Sequence, residues 1–148
     1  MPSERGVKVF PAREGEILKV LGETLTFKVV SEDTGGSYAL IEIETPAELG
    51  PPLHVHRRED EGFFVLEDRY EIRVGDQTIT ATPGTFAFLP RNIPHLYKNV
   101  GTTAARLLVI VTPGGFEKFL AELSLLPPGP PDFAKIAAIA RNYELEFV

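Results

Sequence analysis

Three histidines occur in the 148-residue chain, and all of them fall within two short patterns that can do chemistry together. The first is the run HVHRREDE, which holds His54, His56 and Glu61. The second is GTFAFLPRNIPHLYKN, which holds Gly84, Pro90, His95 and Asn99. Three imidazoles and one carboxylate suit one divalent metal ion: Fe, Mn, Ni, Co, Cu or Zn. Around an octahedral ion four protein ligands leave two positions open, which is an arrangement for catalysis rather than for structure. Glu61 could also release the ion, or hydrogen-bond to a bound ligand, and so serve as a general base. Imidazoles must be deprotonated to bind, so affinity for the ion is expected to fall below roughly pH 6. Two histidines two apart in a hairpin are commonly plain polar residues. Here a carboxylate within reach and a third histidine behind a proline-rich turn argue for a site.

Such a site needs strands to hold it. Residues two apart on a strand share a face, so His54 and His56 both point inward. A turn at Arg57, Arg58, Glu59 and Asp60 then reverses the chain, and those four charged residues read as solvated. Glu61 opens the next strand opposite the histidines, which puts three ligands on one hairpin. His95 must come from a neighbouring strand, and a small antiparallel barrel has the curvature to bring it there.

The rest of the chain agrees with such a scaffold. Short strands are expected at 17–20, 24–31, 37–45, 63–67, 70–74, 79–81 and 86–88, separated by turn residues such as Gly35-Gly36 and Pro83-Gly84. Ala39, Ile41 and Ile43 alternate with Glu42 and Glu44, the mark of a half-buried antiparallel strand. The run ARLLVIVT, residues 105–112, is nearly all apolar and reads as a strand buried on both faces. After Pro113-Gly114-Gly115 the period changes. Phe116, Phe119, Leu120 and Leu123 share one helical face, and Asp132 can cap a second helix carrying Ile136, Ile139, Ala140 and Tyr143. These helices are expected to dock on the barrel as lids or dimer contacts. The chain is therefore expected to be one all-β domain, with a core at about 16–112 and a helical extension at about 114–148.

Composition narrows the partners. With 43% apolar and 24% charged residues the chain reads as globular. A net charge of −6 argues against nucleic acid. No apolar run approaches 18 residues, and the first sixteen residues are polar, so neither a membrane span nor export is expected. The chain has no cysteine, which excludes thiolate ligands and disulfides and fits a cytoplasmic protein.

The two patterns resemble the two signature motifs of the cupin superfamily. Cupin motif one has His-x-His, three or four residues, Glu, six residues and Gly; His54, His56 and Glu61 match it, with Asp68 in place of the last Gly. The leading glycine is displaced too, to Gly50. Motif two has Gly, five residues, Pro-x-Gly, two residues, His, three residues and Asn. Gly84, Pro90, His95 and Asn99 match, with Asn92 in place of the second Gly. Asp and Asn are the residues that best tolerate the left-handed turn conformation after glycine. The chain resembles the single-domain bacterial cupins grouped with quercetin 2,3-dioxygenase. That resemblance implies a double-stranded β-helix, or jelly-roll, barrel with two C-terminal helices, often a homodimer, and metal ligation by His54, His56, Glu61 and His95. It also implies Glu61 as the base towards a flavonol hydroxyl, and Phe63 and Tyr97 as residues lining the substrate pocket. Strand parity turns both aromatics towards the interior, where plain core packing is the other role open to them.

One fold hosts many reactions. The leading expectation is a metal-dependent dioxygenase acting on a flavonol-like or other enolisable aromatic substrate. A metal-assisted isomerase or lyase of small polar metabolites is an alternative, and would need a pocket rich in Lys, Arg and Asn. A metal-site module that binds a small molecule without catalysis is another.

Overall fold

The computed structural model describes residues 6–148. Residues 1–5, on which part of the expectation about export rests, lie outside the described residues. Eleven strands are present among them: β1 (Glu16–Val20), β2 (Glu23–Val29), β3 (Ala39–Thr45), β4 (His54–His56), β5 (Asp60–Glu67), β6 (Tyr70–Val74), β7 (Gln77–Ala81), β8 (Phe86–Leu89), β9 (His95–Asn99), β10 (Ala105–Thr112) and β11 (Leu145–Phe147). A one-turn helix α1 (Ser31–Thr34) follows β2, while α2 (Phe116–Ser124) and α3 (Phe133–Arg141) lie between β10 and β11. The fold is an all-β jelly-roll with two C-terminal helices. One sheet has the order β1-β2-β3-β10-β5-β8 and the other β11-β4-β9-β6-β7, all pairs antiparallel. Hydrogen bonding does not run continuously from one sheet into the other, so the barrel is two facing sheets rather than a closed ring.

Alternation sets the core. Leu25 and Phe27, Ile41 and Ile43, Phe63 and Val65, and Leu107 and Val109 project between the sheets and are buried. β10 departs from expectation. Its residues Leu107, Val109 and Val111 are buried, but Ile110 on the opposite side is 36% exposed. The cause is position: an outer face of an antiparallel sandwich has no layer over it, so only one side of a central strand is fully covered.

The helices close one end of the sandwich. Phe119, Leu120 and Leu123 of α2 and Ile136 and Ala140 of α3 are buried against the core. Asp132 caps α3 by accepting a hydrogen bond from the Lys135 backbone N–H at 3.1 Å. The segment after α3 does not stay helical. It turns at Glu144, whose φ of 57° is left-handed, and returns as β11 to pair with β4. Leu145, Glu146 and Phe147 alternate, but three residues are too few for a periodicity to stand out against the helix before them.

Candidate metal centre

Pairing in one sheet brings the imidazoles together. His54 of β4 lies in register with His95 of β9, and His56 stands two residues along on the same face. All three side chains are buried, and each offers a nitrogen such that these atoms lie within 4.8 Å of one another. The rings of His54 and His95 are 4.5 Å apart between centroids, and those of His56 and His95 stack at 5.3 Å.

Glu61 reaches this group from the other sheet. Its Oε2 is 3.0 Å from His95 Nε2 and its Oε1 3.5 Å from His56 Nε2. The expected hairpin is therefore not what forms. Residues 57–59 carry the chain across from β4 to β5 in the facing sheet, so the carboxylate faces the histidines across the interior instead of beside them. Strand parity is indifferent to which sheet a strand joins, and the spacing of the residues suits either path.

The turn itself also differs from a solvated one. Glu59 is 1% exposed and its carboxylate lies 3.1 Å from His56 Nδ1. Arg57, by contrast, is exposed and pairs with Glu146, while Asp60 holds Arg91. Burying Glu59 is offset by its hydrogen bond to an imidazole N–H. Sequence reasoning missed Glu59, and the i,i+3 step from His56 is the signal that could have found it.

These hydrogen bonds fix the tautomers. The Pro52 carbonyl can only accept, so His54 Nδ1 donates to it at 2.7 Å and leaves Nε2 with its lone pair. Glu59 orients His56 in the same sense. Among the described residues, His56 Nε2 and His95 Nδ1 are buried without a hydrogen-bond partner, and His95 Nε2 has only the Glu61 carboxylate, poorly aligned at 3.0 Å. Buried nitrogens are seldom left unmet, and a divalent ion that accepts lone pairs is what this cluster fits.

Electrostatics keep His54 and Glu61 in the forms that ligate and act against ligation at His56. Burial, with His95 and His56 beside it, lowers the His54 pKa to about 3, so the ring is neutral and able to ligate. Burial pulls His56 down as well, but the Glu61 charge and Glu59 outweigh it and its pKa is raised. Burial pushes Glu61 up, yet His56, His95 and His54 together bring it down to about 2, which keeps it ionised.

The turns around the centre use the residues expected of them. Asp68 and Asn92, which stand where cupin motifs carry glycine, have φ of 56° and 69°, both left-handed. At Gly50 a Cβ would come 2.0 Å from the Tyr97 carbonyl oxygen, so only glycine lets this loop lie against β9.

Beside the histidines is a cavity of about 230 Å³. His54, Glu61, Phe63 and Tyr97 all line it, and α2 covers it with Phe116, Phe119, Leu120 and Leu123. Phe63 stands edge-on to His95 and to Tyr97, at 5.8 and 5.6 Å between centroids. Sequence reasoning missed one further residue on this wall. Glu23 of β2 is buried, accepts hydrogen bonds from Tyr97 Oη at 3.0 Å and Thr45 Oγ1 at 2.7 Å, and has its pKa raised by burial to about 7. It stands next to a glycine turn and reads as part of it. Its parity with Leu25 and Phe27 was the clue that it faces inward.

Two facing antiparallel sheets around a buried three-histidine cluster define a jelly-roll protein with a candidate metal centre in its interior. The cupin domain family matches residues 41–111, just under half of the chain. Quercetin 2,3-dioxygenase of Bacillus subtilis (strain 168) is 24% identical over 98 residues, which is 66% of this chain and 29% of that protein. The match thus spans less than a third of that relative's length. Among solved structures, KdgF from Halomonas sp. superposes with a TM-score of 0.65 at 14% identity, covering 74% of this chain and 97% of the other. The polyketide cyclase RemF from Streptomyces resistomycificus gives 0.63 at 21%, covering 72% and 80%. At these identities the two structures speak for the fold alone.

Proposed function

We propose that the protein is a metal-dependent dioxygenase acting on a flavonol-like or other enolisable aromatic substrate. The observation that carries this reading is a three-histidine cluster with a facing carboxylate, opening on an apolar cavity of about 230 Å³ walled by aromatic rings. The distant likeness to a quercetin 2,3-dioxygenase supports it. His54, His56, His95 and Glu61 would hold one divalent ion. Such an ion supplies Lewis-acid and redox chemistry towards substrate and dioxygen. Glu61, held ionised by the surrounding imidazoles, accepts the proton of a substrate hydroxyl brought against its carboxylate. Phe63 and Tyr97 bind the substrate ring, and the α2 side chains over the cavity exclude water.

The isomerase or lyase reading needed a pocket rich in Lys, Arg and Asn. No such side chain lines the cavity among the described residues. Dioxygen uptake by protein loaded in turn with Fe, Mn, Ni, Co and Cu, over a panel of flavonols and diketones, tests the proposal. Uptake that depends on both metal and substrate is expected. Tight binding without uptake for every metal would leave a binding module instead.

The proposal extends to assembly and setting. Strand β8 is an outer strand of its sheet, and its Phe86 and Phe88 are each 59% exposed beside Phe64 and Ile110. A second copy of the chain would cover this patch and make a homodimer. No helix is long and apolar enough to cross a membrane among the described residues. The lack of cysteine favours a cytoplasmic setting.

A further inference from the structure

The cavity has polar groups at two separate places and apolar walls elsewhere. Of the side chains that line it, Glu23, His54, Glu61 and Tyr97 carry the polar atoms. His54 and Glu61 belong to the metal centre. Glu23 and Tyr97 are removed from it. β2 and β5 are separated in their sheet by β3 and β10, three strand spacings or about 14 Å along the sheet. Tyr97 lies two residues, about 7 Å, along β9 from His95.

We infer that Glu23, steadied by Tyr97 and Thr45, is a second binding subsite that takes a hydrogen-bond-donating hydroxyl at the end of the substrate remote from the metal centre. The inference rests on the proposed aromatic substrate and narrows it to an elongated, mostly apolar molecule hydroxylated at both ends.

Lone-pair capacity supports it. Above pH 7, where Glu23 is ionised, its carboxylate has about four acceptor positions. Glu23 receives two donors: Tyr97 Oη, 3.0 Å from both of its oxygens, and Thr45 Oγ1, 2.7 Å from Oε2. Thr45 is itself held by Tyr70, whose hydroxyl donates to it at 2.9 Å. The three hydroxyls spend their protons within this relay, all directed towards Glu23. Acceptor capacity therefore remains on a carboxylate that lines the cavity, and Oε1 has only the shared bond from Tyr97. A core-filling role would be met by an apolar residue here at less desolvation cost, as the neighbouring Leu25, Ile41 and Ile43 show. Held by two hydroxyls, Glu23 is preorganised to accept one more donor from the cavity it lines.

The test uses two pairs of probes that differ in hydroxyl groups. Quercetin against 3-hydroxyflavone is measured on metal-loaded protein, and 2-naphthol against 2-methoxynaphthalene on the same protein without flavonol, both by fluorescence titration. In wild type the richer donor of each pair is expected to bind about tenfold tighter or more, the scale of a charge-assisted hydrogen bond. Glu23→Leu is expected to remove that preference while leaving 3-hydroxyflavone and 2-methoxynaphthalene affinities within about twofold. Glu23→Gln keeps the shape and loses the charge, so it should cut the preference by more than half; if the leucine variant does not fold, this variant decides. Preference that survives in the folded variants, or is absent from wild type in the naphthol pair, overturns the inference. If neither flavonol binds but the naphthol pair shows a Glu23-dependent preference, the flavonol reading falls and the subsite stands.

Discussion

The carboxylate of Glu59 lies 3.1 Å from Nδ1 of His56, and both side chains are 1% exposed. Glu59 touches no other imidazole of the cluster, so its effect on the centre passes through His56. It sets which nitrogen carries the proton and which faces the interior.

Removing that contact is expected to weaken the ion without displacing the fold. Glu59→Ala should lower metal affinity about 10- to 100-fold, read by competition with a chromophoric chelator. Glu59→Gln should lie between, because an amide oxygen still accepts from the ring. Wild-type affinity in Glu59→Ala would show that His56 needs no orienting partner.

The opposite-sheet position of Glu61 lets metal binding and reaction be tested apart. Metal content per chain by plasma mass spectrometry is expected near one in wild type and near zero in His95→Ala, which removes one of the clustered nitrogens. Glu61→Gln should retain much of the ion on the three histidines and lose dioxygen uptake. Full uptake in that variant would exclude Glu61 as the base.

Stability of the metal-free protein should depend on pH in opposite senses for different groups. His54 falls from 6.5 to about 3 and Glu61 from 4.5 to about 2, so the unfolded chain takes their protons more readily. Their contributions are complete above pH 6.5 and 4.5 and are lost as pH falls towards 3 and 2. Glu23 rises from 4.5 to about 7, so its contribution is complete below pH 4.5 and lost as pH rises through 7. His56, also raised, adds to the loss on the alkaline side. Thermal melts of chelated protein should therefore show Tm falling in both directions from mildly acidic pH. In Glu23→Gln the alkaline fall should be shallower and the acid fall unchanged. Parallel curves for the two proteins would count against a protonated Glu23 in the fold; Tyr97 and Thr45 are the hydroxyls bonded to it, and Tyr70 stands behind Thr45.

Leu145 of β11 is 2% exposed and pairs with His56 across the strand boundary. Leu145→Ala should cost roughly 2–4 kcal/mol in denaturant unfolding. Because β4 depends on β11 at that edge, metal affinity should fall with it. A destabilised variant with unchanged affinity would mean that β9 alone holds β4 in place.

Dimerisation through β8 is tested at the exposed rings. Phe86→Glu with Phe88→Glu should give a monomer by sedimentation, with the near-ultraviolet spectrum of the core retained. Wild type sedimenting as a monomer would remove the proposed interface.

What the sequence disclosed follows from what each signal encodes. Parity placed His54 with His56, and Phe63 and Tyr97 on the interior side, because side chains alternate regardless of tertiary context. Turn chemistry placed Asp68 and Asn92 at left-handed positions for a similarly local reason. Parity does not say which sheet a strand joins, which is why the crossing at 57–59 read as a hairpin. Burial of charge is a tertiary outcome, so Glu59 read as part of a solvated turn although His56 stands three residues before it, and Glu23 read as a turn residue because its hydroxyl partners lie far along the chain. β11 was hidden because a three-residue strand is specified by its partner rather than by its own pattern.

The pairing of His54 with His95 has a kinetic corollary. Neither the segment around β4 nor that around β9 can assemble the cluster alone, since the chain between them must first lay down β5 to β8 in two different sheets. Long-range pairings of this kind form slowly. An ion held by all three histidines would tie together two segments far apart in the chain, so binding it should slow any local opening that parts β4 from β9.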